Sequence, residues 1–250
     1  MRALPYILWD WNGTLLDDTD AAIGALNAVL TRRGLPAIGR AWYRDHFAFP
    51  VRPVYAACGV DLAQEDWDAL AREYHDAYAA LPKRLNAESV AALTRVRDAG
   101  GGQSIVSALR QDLLDAAVAA SGIRHFFDFV VGVDNLDGAS KLSRARGLLA
   151  RVPTSARAHG TVLIGDALHD KEVADALGIG CVLCAQGGHS AARLRAVAPT
   201  AETLLEALAR AADRRAVGPA GQECADCPPE SGSSLHAEAP TGAGRPVDIC

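Results

Sequence analysis

No uninterrupted apolar run in the 250 residues reaches membrane-spanning length, which argues against a transmembrane helix. The first residues also lack the charged, apolar and small-residue regions of a signal peptide, so the protein is expected to be soluble and cytoplasmic. No basic stripe offsets the formal net charge of −5. That balance argues against a nucleic-acid or membrane partner and suits a small-molecule enzyme that gathers positive charge locally. No repeat of fixed period is present, and no complete zinc module. Cys224 and Cys227 form a lone CxxC with only Cys250 and His236 as further candidates, and their spacing fits no zinc site. Cys181 and Cys184 lie in the apolar run Gly180-Cys181-Val182-Leu183-Cys184. Positions three apart on a strand face opposite sides, so these two read as small core residues rather than a clamp. Cys58 ends a helical segment and carries no partner pattern.

What the chain does have is hydrophobic residues at 50%, enough for one large core or a core and a small second domain. The apolar run Tyr6-Ile7-Leu8-Trp9 delivers Asp10 into the turn Asp10-Trp11-Asn12-Gly13-Thr14. This places a carboxylate at the carboxyl end of a buried strand, where open α/β sheets carry their chemistry. Thr161-Val162-Leu163-Ile164-Gly165-Asp166 repeats the design, with Asp170 four residues on. Between them lie Ile105-Val106-Ser107, a strand ending in a hydroxyl, and Lys141, which opens a helical segment after Gly138-Ala139-Ser140. Apolar spacing predicts helices over 18–33, 40–46, 52–58 and 64–80 without a strand among them. From Glu88 onward helices alternate with apolar runs at 103–106, 129–131, 161–164 and 180–184, a pattern that predicts βαβ units and a parallel sheet. The last packed element is expected at 201–212. Beyond Arg215 the composition turns to Pro, Gly, Ser and Ala, too poor in apolar surface to offset its ordering entropy. The expected organisation is therefore an α/β core at 1–17 and 83–215, a helical cap at 18–82, and a disordered tail at 216–250.

A strand-end carboxylate, a hydroxyl, a lysine and a second acidic pair, in that order, resemble the four motifs of the haloacid dehalogenase superfamily. The resemblance covers residues 4 to 210 and is nearest to phosphoglycolate phosphatase-like members with a small helical cap. It implies a Rossmann-like parallel sheet with an all-helical cap inserted after the first strand. It also implies a magnesium-dependent hydrolase of small phosphate monoesters that works through an aspartyl-phosphate. Asp10 would be the nucleophile, while Ser107 and Lys141 would neutralise phosphoryl charge. Asp10 and Asp166 would repel each other without a hard cation between them, and Mg2+ fits such oxygen ligands. The resemblance adds the Asn12 carbonyl as a further ligand and Asp170 as an outer or alternate one. Gly13 and Ala108 are substrate-binding candidates beside the phosphoryl group. Arg52 is a specificity candidate reaching from the cap toward an anionic group.

Structural readings stand beside these roles: helix capping for Asp166 and Asp170, an N-cap for Ser107 and a solvated surface for Lys141. Asn12 departs from the family, whose phosphatases usually carry an aspartate there to protonate the leaving oxygen, and an amide cannot exchange that proton. Two alternatives follow from this departure. One is a catalytically impaired protein that binds a phosphometabolite or a partner. The other is a phosphonate hydrolase, which by resemblance needs a cap lysine, Lys83 being the only one near. His169 is a candidate substitute acid or an exposed loop residue.

Overall fold

The computed structural model describes residues 4–134 and 140–213. The expected tail, with Cys224, Cys227, His236 and Cys250, lies outside these residues, as do Gly138 and Ala139. The described residues all fall within one compact unit, residues 1–220. None of their helices is long and apolar enough to cross a membrane.

The first strand, β1 (Tyr6–Trp9), is followed by a turn and the two-residue strand β2 (Leu16–Asp17). Four helices come next: α1 (Thr19–Arg32), α2 (Arg40–His46), α3 (Arg52–Ala57) and α4 (Trp67–Ala80). Strand β3 (Arg84–Leu85) then pairs antiparallel with β2, so a short ribbon closes both ends of the helical insertion. The periodic pattern gave no sign of this ribbon, because two residues carry no period. Helix α4 begins at Trp67 rather than at 64, since the Asp66 carboxylate accepts from the N–H groups of Asp68 and Ala69 and so caps the helix there.

The rest of the chain alternates as expected: α5 (Ser89–Asp98), β4 (Gln103–Arg110), α6 (Gln111–Ala120), β5 (Val130–Val133), α7 (Lys141–Arg151), β6 (Thr161–Gly165), α8 (Leu168–Leu177) and β7 (Gly180–Cys184). It ends with α9 (Ala191–Arg195), β8 (Thr200–Ala201) and α10 (Leu204–Ala211). The expected final helix is thus split. Thr200–Ala201 joins the sheet, and Thr203 caps α10 by accepting from Glu206 N–H.

Six strands form one sheet in the order β5-β4-β1-β6-β7-β8, each pair parallel. Strict alternation explains the two layers on its faces. Ile7, Trp9, Ile105, Val162, Ile164, Val182 and Cys184 pack with residues of α5, α6 and α10. Tyr6, Leu8, Val106, Leu163, Cys181 and Leu183 pack with residues of α7, α8 and α9. Cys181 and Cys184 therefore occupy opposite faces, both buried. Leu163 is 0% exposed, so Leu163→Ala is expected to lower stability by about 2–5 kcal/mol, read as a shift of the urea midpoint. A midpoint unchanged within error would show that this layer is not close-packed. The insertion has its own core, in which Ile23, Leu26, Val29 and Leu30 of α1 meet Tyr43, Val54, Tyr55 and Leu70.

Candidate active site

Strand order converts the motifs into a site. The chain passes from β1 to β4 on one side and returns through β6 on the other, so the central crevice lies at the carboxyl ends of β1, β4 and β6. Trp9 pairs with both Ile105 and Ile164, which brings Asp10, Ser107 and Asp166 to the same end of the sheet. Asp10 N–H donates to the Ile164 carbonyl at 2.9 Å. Beyond it the chain turns through Gly13 at φ 74°, a conformation that favours glycine. Space makes the same demand, because a Cβ at Gly13 would lie 2.3 Å from Asp166 Oδ2.

Lys141, the first residue of α7, is only 2% exposed. Its Nζ donates to Asp10 Oδ1 and to Asp170 Oδ1, each at 2.5 Å. The solvated reading of this lysine is thereby replaced by a buried ion triad. Asp170 Oδ2 accepts from the N–H groups of Asp166 at 3.1 Å and Ala167 at 3.0 Å, so one carboxylate both secures the start of α8 and orients Lys141. Asp166 accepts from Thr14 Oγ1 at 3.2 Å and from Gly188 N–H at 2.5 Å. Ser107 Oγ accepts from Leu109 N–H at 3.0 Å. The register of β4 against β5 shifts between Val106 and Arg110, and α6 starts only at Gln111, so Ser107 does not cap that helix.

One oxygen each from Asp10, Asp166 and Asp170 lies within 4.8 Å of the others, all three residues being buried. One ammonium faces this set. Burial, reinforced by the Asp170 charge, pushes the Asp10 carboxyl up to about 7 even with Lys141 beside it. Burial and then the charges of Asp10 and Asp170 drive Asp166 well above its ordinary range. For Asp170, burial works upward, yet the Lys141 ammonium and the Ala167 N–H outweigh it and hold the carboxyl below its usual value. Burial likewise opposes the Lys141 charge, and the Asp10 and Asp170 carboxylates overcome it. Asp10 and Asp166 are therefore the two carboxyls whose ionisation the surrounding protein does not compensate, and such hard oxygen donors are the set a divalent cation suits.

Asn12 is held by groups that local sequence did not single out. Its Nδ2 donates to Asp18 Oδ2 at 2.7 Å and to the Tyr78 hydroxyl at 2.9 Å, using both N–H bonds of the amide. Tyr78 O–H donates to Asp18 Oδ2 at 2.5 Å, and Gly13 N–H to Asp18 Oδ1 at 2.7 Å. Burial raises the Asp18 carboxyl despite these bonds. In the sequence Asp18 is only the first residue of the predicted helix 18–33, and Tyr78 lies 60 residues away; only folding joins them.

A cavity of about 180 Å3 opens above Asp10, Lys141, Ser107 and Ala108 and is bounded on its other side by the helical insertion. Arg44 and Arg193 tie the insertion to the sheet side. Arg44 donates to the carbonyls of Ala185 and His189, and Arg193 to those of Arg44 and Phe47. Arg52 is not in the wall of this cavity. It is exposed, with its guanidinium 4.6 Å from the centre of the Trp67 ring, a stacking contact that occupies it. Lys83 is also outside the wall, its Nζ donating to the carbonyls of Tyr78 at 2.6 Å and Leu81 at 2.7 Å. His169 is in the wall, half-buried rather than exposed, with Nδ1 3.1 Å from Glu172. His189 is buried and accepts from Leu168 N–H; burial, then the Arg193 charge, lowers it to about 4, so it is a neutral packing residue.

Comparison with known proteins agrees with this geometry. Residues 7–184 match the haloacid dehalogenase-like hydrolase family. The chain is 28% identical over 191 residues to a phosphoglycolate phosphatase of Caulobacter vibrioides, covering 72% of this chain and 79% of that one. It is 23% identical over 201 residues to the probable phosphatase IndB of Dickeya dadantii, covering 78% and 87%. A haloacid dehalogenase-like hydrolase from Streptococcus pneumoniae shares the fold, with a TM-score of 0.69 at 21% identity over 84% of this chain and 99% of that chain. Since the family match spans most of the 250 residues and includes the strands that carry Asp10, Ser107 and Asp166, the chain belongs to the haloacid dehalogenase-like hydrolases.

Proposed function

We propose that the protein is a magnesium-dependent phosphatase of small phosphate monoesters, working through a phosphorylated Asp10, with residues 18–82 as a cap over the core at 1–17 and 83–215. The observation that carries this reading is the convergence of Asp10, Lys141 and Asp166 at the polar end of a cavity walled by the helical insertion. Lys141 holds Asp10 in place and offsets its charge. Asp10 attacks phosphorus as the bond to the leaving oxygen breaks, and water then cleaves the aspartyl-phosphate and restores the carboxylate. Ser107 O–H and the backbone N–H groups of Asn12 and Ala108 are the donors to the transferring phosphoryl oxygens, the Gly13 N–H being taken by Asp18. Magnesium held by Asp10, the Asn12 carbonyl and Asp166 would supply Lewis-acid neutralisation of the phosphate. Asp170 acts through Lys141, which it orients.

Lys83, spent on backbone carbonyls and outside the cavity wall, supports a phosphatase over a phosphonate hydrolase. The test is turnover of p-nitrophenyl phosphate. Chelation is expected to lower the rate by at least about a hundredfold, with recovery on adding magnesium. Phosphate binding without any turnover would replace the enzyme by a binding protein, and chelator-insensitive turnover would remove the metal from the mechanism.

A further inference from the structure

The cavity's second half has a chemistry of its own. Tyr43, Phe47, Phe49, Tyr55, Trp67 and Tyr74 contribute to its wall, and among the described residues no lysine or arginine of the insertion does. The nearby cations have other partners. Arg44 binds the Ala185 and His189 carbonyls, Arg52 stacks on Trp67, and Lys83 binds the carbonyls of Tyr78 and Leu81. Asp18, a carboxylate, and the imidazole of His75 also contribute to the wall of this cavity. A substrate whose body carries a carboxylate would therefore meet aromatic rings and a like charge. Burial of an aromatic or apolar body there is favourable.

Resting on the phosphatase reading, we infer that the substrate is an aryl phosphate with an uncharged body of about one ring. An apolar cavity of about 150 Å3 accommodates benzene, and the cavity of about 180 Å3 here must hold the phosphoryl group as well, which leaves room for no more than a single ring. The amide at position 12 points the same way. Both of its N–H bonds are committed to Asp18 and Tyr78, and it has no proton to transfer. A phenol ionises with a pKa of ~10, against ~16 for water-like hydroxyls. As the Asp10 oxygen bonds to phosphorus, the P–O(aryl) bond breaks with its electron pair on the phenolate oxygen, which takes its proton later from solvent.

The test compares phenyl phosphate, acetyl phosphate and phosphoglycolate with the full-length, magnesium-loaded protein. Acetyl phosphate has a good leaving group without a ring, and phosphoglycolate carries the second carboxylate. Phenyl phosphate is expected to show the lowest KM and a kcat/KM at least about a hundredfold above phosphoglycolate. Calorimetry on the Asp10→Asn protein should show the same order of binding, separating recognition from chemistry. Phe49→Leu, which keeps apolar volume but removes a ring, should raise KM for phenyl phosphate by about three- to tenfold more than that for acetyl phosphate. Equal KM for phenyl and acetyl phosphate, or phosphoglycolate turnover matching that of phenyl phosphate, would overturn the inference while the phosphatase reading stands. Turnover of none of the three would overturn both.

Discussion

Asp10→Asn is expected to lower phosphatase turnover by at least about a thousandfold, as loss of a nucleophile does elsewhere, and to leave the thermal midpoint unchanged or raised. The two effects share one cause. An amide fits the same space and its carbonyl oxygen can still accept from Lys141, but it cannot attack phosphorus. At the same time it removes one of three buried carboxylates whose oxygens lie within 4.8 Å of each other. Lys141 keeps Asp170 as its counter-charge at 2.5 Å, so no buried cation is left unpaired. Functional sites commonly hold such unfavourable charge, and relieving it stabilises at the cost of activity. Circular dichroism melts alongside p-nitrophenyl phosphate kinetics decide the matter. Wild-type turnover in Asp10→Asn would remove this motif from the chemistry, and a large fall in midpoint would show that Asp10 is needed for the fold itself.

How much of this was legible in the chain depends on the range of the interaction. Asp10, Ser107 and Asp166 each follow an apolar run with β character, and a parallel sheet with β1 at its centre brings such strand ends together whatever the helices do. Lys141 and Asp170 could be marked as candidates from order alone, but not their pairing, because a lysine sequence reads the same whether it is solvated or buried. Period 2 placed Cys181 and Cys184 on opposite faces, as found. Arg52 shows the limit from the other side. Its chemistry suits an anion, but fifteen residues later Trp67 offers a ring within the same helical group, and stacking directs the guanidinium there. Asp18 and Tyr78 were missed for a similar reason. Asp18 opens the predicted helix 18–33, and nothing local announces that Tyr78, near the end of α4, returns to meet it at 2.5 Å.

That Asp18–Tyr78 pair changes what restoring a carboxyl at position 12 should do. In the single variant Asn12→Asp, an oxygen would replace the Nδ2 now 2.7 Å from Asp18 Oδ2. Two carboxylates that close cannot both ionise, so one proton is held between them, and Tyr78 has only one O–H to give. The proton needed by a leaving alkoxide is then trapped beside Asp18. Combining Asn12→Asp with Asp18→Asn removes the conflict. The amide introduced at position 18 would donate to the carboxylate introduced at position 12, while the carbonyl oxygen of that amide accepts from Gly13 N–H in place of the present carboxylate. Tyr78 O–H would turn to the new carboxylate. With the second N–H of that amide donating to the Tyr78 oxygen, the four present hydrogen bonds are matched by four, donor and acceptor reversed between positions 12 and 18. General acid assistance contributes about a hundred- to ten-thousand-fold. The double variant is therefore expected to gain about a hundredfold on an alkyl phosphate and little on p-nitrophenyl phosphate, whose leaving group departs without a proton. The single variant should gain less on the alkyl substrate. Steady-state rates on both substrates at saturating magnesium, with thermal melts to verify folding, measure the effect. Equal leaving-group sensitivity in the wild type and a well-folded double variant would mean that another group, such as His169 in the cavity wall, already delivers the proton, and that Asn12 is no handicap.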